Sequence, residues 1–324
     1  MCPPKNATFP AALIAAMLLC VTEPHSHATL LVYDNFNNNS TGNLTGQTTT
    51  GFGLTGTYSM NGNQSNQSFT VTSGGLPFST LSSSLGNSVV ATSLAGGGAD
   101  SNVGLSLGTA MTGTLYSSYL INITVQNTSP AALAETRIAT NSTDNGGASR
   151  FRLMADSLTS NVATPTVGYD GTPISGSTNL SINTTYLMVG RFTNVGISLS
   201  AGTPGQATLF AMTAAQYNSF IAGGGNDAYL DGATVGTGNN QITATATDAA
   251  VTSGTFSFAP GNFYQTGIIG SVGTETFTYD EVRFGTTLQD VTTPTPEPTS
   301  ALLAVCGVTL LLTRRQRGHA TRER

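Results

Sequence analysis

Between residues 68 and 284 the chain holds recurring runs that alternate side chains with period two, the pattern of strands. Ser68–Thr72 sets Phe69 and Val71 on one face, and Tyr119–Gln126 lines up Ile121, Ile123 and Val125. Phe151 and Leu153 lie opposite Arg152, and Tyr186, Met188, Gly190 and Phe192 lie opposite Leu187, Val189 and Arg191. The last such run, Phe277–Phe284, puts Phe277, Tyr279, Glu281 and Arg283 opposite Thr278, Asp280, Val282 and Phe284. Glycine-rich breaks such as Gly96-Gly97-Gly98, Asn145-Gly146-Gly147 and Gly223-Gly224-Gly225 separate the runs. Many short β-branched strands with Gly/Asn turns predict an all-β antiparallel sandwich or barrel. Thr213–Ala222 departs from the pattern: Thr213 is a capping residue, and Tyr217, Phe220 and Ile221 share a helical face. A short helix crossing one end of the sandwich is predicted there. Gly223–Gly254 has the weakest apolar pattern and predicts long surface loops.

The two ends of the chain read differently. Residues 1–28 carry Lys5, an apolar run from Pro10 to Val21 and the small-residue exit Ser26-His27-Ala28, which predicts a secretory signal peptide cut after Ala28. Leu18-Leu19-Cys20 puts a bulky Leu where a lipoprotein signal needs a small side chain. At the other end, residues 294–298 form a stiff proline-rich linker, because each Pro fixes its own φ and pushes its predecessor to extended geometry. Residues 299–313 are apolar and span ~22 Å as a helix, against a hydrocarbon thickness of about 30 Å that snorkelling arginine stems help to match. The basic stretch 314–324 follows, with Arg314, Arg315 and Arg317 as a cytoplasmic stop that leaves residues 29–293 outside.

Pro296-Glu297-Pro298, the short apolar span and the terminal arginines, in that order, resemble the PEP-CTERM sorting signal. The resemblance implies recognition by an exosortase, a membrane transpeptidase-like protease that removes or exchanges the tail. It also implies an exopolysaccharide-producing cell with a Gram-negative type envelope. The expected location is therefore the membrane first and the cell surface or matrix afterwards.

Composition then narrows the chemistry of residues 29–293. Every Cys (Cys2, Cys20, Cys306), every His (His25, His27, His319) and the single Lys (Lys5) lie outside this stretch, and the chain has no Trp. Cys and Lys nucleophiles, Ser-His-Asp triads, His- or Cys-ligated zinc and disulfides are excluded from it. Five arginines stand against thirteen acids, a net charge of −8, so nucleic acid is not an expected partner.

Tyr33-Asp34-Asn35-Phe36, Thr185–Phe192 and Tyr279-Asp280-Glu281-Val282-Arg283-Phe284-Gly285, in that order, are similar to the concanavalin A-like or laminin-G-like jelly roll. That resemblance implies a sandwich spanning nearly all of 29–293, and it nominates Asp34 and Asp280 for one structural Ca²⁺ where the first strand meets the last. Otherwise no cofactor is expected. The loop Asn226–Gly232 offers a second set of oxygen ligands. Glycoside hydrolysis needs two carboxyls about 5–9.5 Å apart on one surface. In the last run Glu281 has Tyr279 and Arg283 as same-face neighbours, Asp280 points the other way, and Glu275 stands about 20 Å off at 3.3 Å per residue. Glu281 and Arg283 are expected to pair on a solvated sheet face, and Tyr116, Tyr119, Tyr217, Tyr229 and Tyr264, the possible platforms for a sugar, to be half-buried instead.

The leading expectation is a non-enzymatic exported surface or matrix protein associated with exopolysaccharide. A carbohydrate-binding lectin-like module is the alternative, and a glycoside hydrolase of the same fold comes third.

Overall fold

The last strand organises the molecule, and its neighbours change halfway along it. The computed structural model describes residues 30–49, 51–62, 67–82, 86–93, 101–125, 132–140, 149–159, 162–170, 173–176, 178–269 and 275–294. In chain order the strands are β1 (Leu30–Asp34), β2 (Gly42–Asn43), β3 (Leu54–Gly62), β4 (Gln67–Ser73), β5 (Asn87–Ser93), β6 (Ser101–Leu107) and β7 (Gly113–Val125). Next come β8 (Ala132–Ala139), β9 (Ser149–Thr159), β10 (Val162–Asp170), β11 (Ile174–Ser175), β12 (Leu180–Ser181), β13 (Thr185–Val195) and β14 (Gln206–Met212). Helices α1 (Ala214–Ala222) and α2 (Asp227–Gly232) precede β15 (Ala244–Thr247), β16 (Phe263–Ile269), β17 (Glu275–Gly285) and the terminal helix α3 (Leu288–Thr292).

These strands make an antiparallel sandwich. A nine-stranded sheet runs β15-β14-β13-β7-β17-β5-β4-β2, with β1 also on β17, and an eight-stranded sheet runs β11-β10-β9-β8-β16-β6-β3, with β12 on β10. The period-two faces meet between the sheets: Phe69, Val71, Ile121, Ile123, Phe151, Leu153, Met188, Phe192 and Tyr264 belong to one buried cluster. Tyr119 crosses the gap, its hydroxyl donating to the Leu153 carbonyl at 3.2 Å.

β17 breaks its own alternation. β5 pairs with Glu275–Tyr279, while β1 pairs with Val282–Gly285. Between the two stretches the register against β7 shifts, and Glu281 takes a left-handed φ of 53°. This bulge inserts an extra residue, so Phe277 and Tyr279 before it and Val282 and Phe284 after it all reach the inter-sheet core. The strict two-face reading of Phe277–Phe284 is thereby corrected. No glycine or other sequence signal marks the break.

A second apolar layer lies on the outer face of the nine-stranded sheet. Leu120, Leu187, Val189, Phe210 and Met212 face away from the main core, and Phe78, Leu81, Tyr217, Phe220, Leu230, Leu288 and Val291 cover them. Helix α1 forms as expected, with a capping box between Thr213 and Gln216. It lies on this face rather than across an end of the sandwich, and Ile221 is 38% exposed instead of joining Tyr217 and Phe220. Residues 223–254 hold α2 and β15 with buried Leu230, Ile242, Ala244 and Ala246, not only surface loops. The breaks at Gly96–Gly98 and Asn145–Gly147 lie outside the described residues.

Candidate functional site

The switch in β17 gathers the ionisable groups that the sequence singled out. Asp34 sits opposite Val282 and points with it toward the core, where it accepts the Tyr58 hydroxyl at 2.6 Å. Burial lifts its pKa to about 6, against the lowering effect of hydrogen bonds from the Tyr58 hydroxyl and the Phe36 N–H. Asp280 follows the core residue Tyr279 and points to the opposite, outer face. There it accepts the Leu76 N–H at 2.8 Å and the Glu281 N–H at 2.8 Å. Burial, then the nearby Glu281 charge, holds its pKa well above the ordinary carboxylate range. The two acids nominated for Ca²⁺ are thus turned to opposite faces of one sheet. They do not converge on one cation, and the residues present do not fit the calcium site that the resemblance implies. Among the described residues no three His, Cys, Asp or Glu side chains cluster to hold a metal ion.

Glu281 and Arg283 do meet, at 2.5 Å, but their side chains are only 8% and 1% exposed. The expected solvated pair is a buried one, because the outer apolar layer covers this part of the face. The Tyr33 hydroxyl donates to Glu281 at 3.0 Å, and the Arg283 guanidinium lies 5.0 Å from the centre of the Tyr33 ring. Glu281 is therefore bound into the sheet by two partners.

The eight-stranded sheet carries a second charged group that the sequence reading missed. Glu135 and Arg137 alternate with the core residues Ala134 and Ile138, and so stand on the outer face of that sheet. Arg137 pairs with Glu135 at 2.6 Å, and both side chains are fully buried. Arg152, from the neighbouring strand, donates to the other oxygen of Glu135 at 3.1 Å. Arg137 also donates to Gln265 at 2.9 Å. The available signal was the spacing Glu135-Thr136-Arg137, which places opposite charges on one strand face.

The candidate cation loop Asn226–Gly232 is a capped helical turn. Its two acids belong to Arg191, which contacts Asp227 at 2.8 Å and Asp231 at 2.7 Å. Tyr116 donates to Asp227 at 2.8 Å, and Arg191 lies 5.6 Å from the Phe210 ring centre. These contacts pin α2 over the outer apolar layer. Arg191→Ala is expected to lower stability by about 1 kcal/mol, as two partly exposed ion pairs and a cation–π contact are lost. Urea titration checks this, and an unchanged midpoint would assign α2's anchoring to Leu230 packing alone.

None of the carboxylates at these places offers an open acid pair for hydrolysis. Glu135 and Glu281 are held by arginines, and Asp34, Asp280 and Asp290 are buried acceptors. Glu275 stands at the first position of β17. Four of the five candidate tyrosines are deeper than expected: Tyr116, Tyr119, Tyr217 and Tyr264 are buried, while Tyr229 is half-buried as expected. The signal peptide (1–28), the sorting motif Pro296, Glu297 and Pro298, the apolar segment 299–313 and the stop arginines Arg314, Arg315 and Arg317 lie outside the described residues.

No protein-family model matches the chain, and no curated protein matches its sequence. Among solved structures it is similar to the carbohydrate recognition domain of Emp47p, with TM-score 0.37 and 8% identity over 79% of this chain and 94% of that one. It is similar to peanut lectin in complex with a nine-residue peptide, with TM-score 0.37 and 10% identity over 78% and 96% of the two chains. The binding domain of botulinum neurotoxin serotype G gives TM-score 0.37 and 8% identity over 82% of this chain and 50% of that one, so the match spans about half of that binding-domain chain.

Proposed function

We propose that this chain is an exported, non-enzymatic surface or matrix protein, whose sandwich is the delivered body and whose C-terminal tail is the address. The observation that carries this reading is the order of the tail: Pro296-Glu297-Pro298, then the apolar run 299–313, then Arg314, Arg315 and Arg317. An exosortase-type protease acts on that tail after it has entered the membrane, and the released body joins the exopolysaccharide layer. The sandwich supports the reading, since Asp34, Glu135, Asp280, Glu281 and Asp290 are spent on holding strands and helices together. The three tail residues are substrate for another enzyme's chemistry.

The test is cell fractionation with an epitope inserted in the sandwich. Replacing Pro296, Glu297 and Pro298 by alanine is expected to leave a longer form in the membrane and to remove most of the surface or released form. Processing and release that proceed unchanged would overturn the assignment. A glycan-array signal from residues 29–293 would instead promote the carbohydrate-binding alternative, with polar loops replacing aromatic platforms as the contact surface.

A further inference from the structure

The last four carbonyls of any helix lack intrahelical partners, and a helix as short as α3 does not persist on propensity alone. α3 nevertheless ends in a built receptor. Ser118, on the outer face of β7, donates its hydroxyl to the Val291 carbonyl at 2.6 Å. Tyr217, from the middle of α1, donates to the Thr292 carbonyl at 2.7 Å. Arg283, on β17, donates to the Thr293 carbonyl. Three consecutive carbonyls are thus held by three side chains from three separate elements. Beneath them Leu288 and Val291 are 2% and 0% exposed in the outer apolar layer. The start of α3 is fixed as well. Asp290 accepts the Thr286 and Thr287 N–H groups at 3.0 and 2.8 Å, and Gly285 leaves the room, since a Cβ there would stand 2.3 Å from the Asp290 Cβ. Arg283 meanwhile keeps its pair with Glu281 and its stack on Tyr33 of β1, so the grip on the exit point reaches the first strand. Thr293 itself is exposed, and the sequence runs on from it into Pro294-Thr295-Pro296.

We propose that Ser118, Tyr217 and Arg283 form a socket that locks α3 and makes the folded body one built to be held by its C-terminal end. Thr293 is then the outer limit of the body, and whatever is attached or cut beyond it leaves the fold unchanged. The socket stands or falls independently of the sorting assignment, which only says what the tail is joined to. A pull on the tail is received by β17, an interior strand paired on both sides, rather than by a sheet edge.

The experiment uses the full chain in detergent. Digestion with proteinase K, read by intact mass, is expected to yield a lasting fragment whose C-terminus falls between Thr293 and Pro298. A lasting fragment that ends before Leu288 would overturn the proposal. Ser118→Ala with Tyr217→Phe removes two grips and keeps the charged one. Hydrogen exchange in peptides covering 288–292 is expected to speed up by about tenfold or more, while peptides covering 186–192 stay as they were. Unchanged exchange at 288–292, or equal loosening of both regions, would sink the idea of a local socket.

Discussion

Replacing Glu135 with alanine is expected to destabilise the protein by about 3–5 kcal/mol, the largest effect of any single site described above. The carboxylate is fully buried, with Arg137 at 2.6 Å and Arg152 at 3.1 Å. Its removal takes from two neighbouring guanidinium groups, Arg137 fully buried and Arg152 nearly so, the carboxylate that they share. The loss is a penalty of broken pairing and does not measure the worth of the intact network. The joint change Glu135→Leu, Arg137→Met and Arg152→Leu should therefore recover much of it, because it removes the desolvated charges together. Chemical denaturation of the single and triple variants decides the matter. A Glu135→Ala midpoint within experimental scatter of the parent would show that the network contributes nothing, and a triple variant weaker than the single one would show that it does more than satisfy itself.

Stability is expected to rise, not fall, as pH is lowered from 7 toward about 4.5. Asp34 has a folded pKa of about 6 against an ordinary value of 3.8, raised by burial. The folded state therefore holds its proton more tightly than the unfolded state. A group of this kind contributes stability fully below the unfolded pKa, and the contribution is lost as pH rises through the folded one. The difference amounts to about 3 kcal/mol between acid and neutral pH for Asp34 alone. Asp280 and Asp248 are shifted in the same direction, both chiefly by burial, so they add to the slope. Thermal melts in calcium-free buffer provide the measurement. Asp34→Asn keeps an acceptor for the Tyr58 hydroxyl and should flatten the profile while raising the neutral-pH melting temperature. A parent melting temperature that declines steadily from pH 7 to 5 would contradict the assignment.

Much of the sandwich was legible because strand burial leaves a period-two trace. Phe69 and Val71, Ile121 and Ile123, Phe151 and Leu153 all reach the core that their alternation predicts. Helix α1 was legible for a different reason: Thr213 and Gln216 spell a capping box, a purely local device. The second apolar layer was less so. Its signal was present in Tyr186–Val189, where both faces of one strand are apolar, the mark of a strand covered on two sides. What covers it comes from Phe78, Leu230 and Val291, far apart in sequence, and only the fold brings them together. The bulge at Glu281 left no trace at all. It arises where β1 takes over from β5 along β17, a tertiary event. The candidate site failed for the same reason: Asp34 and Asp280 lie near each other along the strands, but the bulge and the register put a sheet between their carboxylates.

The pairing of β1 with β17 also constrains when the protein can fold. The Tyr33–Glu281 contact joins residues 248 apart in sequence, and among the described strands β1 pairs with β17 alone, its nearer backbone partner being the bridge from Tyr33 to Phe52. β1 therefore takes its place in the sheet only once nearly the last described strand is present. Closing so long a loop is slow, and its cost comes before any of the contacts that reward it. Sealing of β1 against β17 is thus a late step in forming the sandwich.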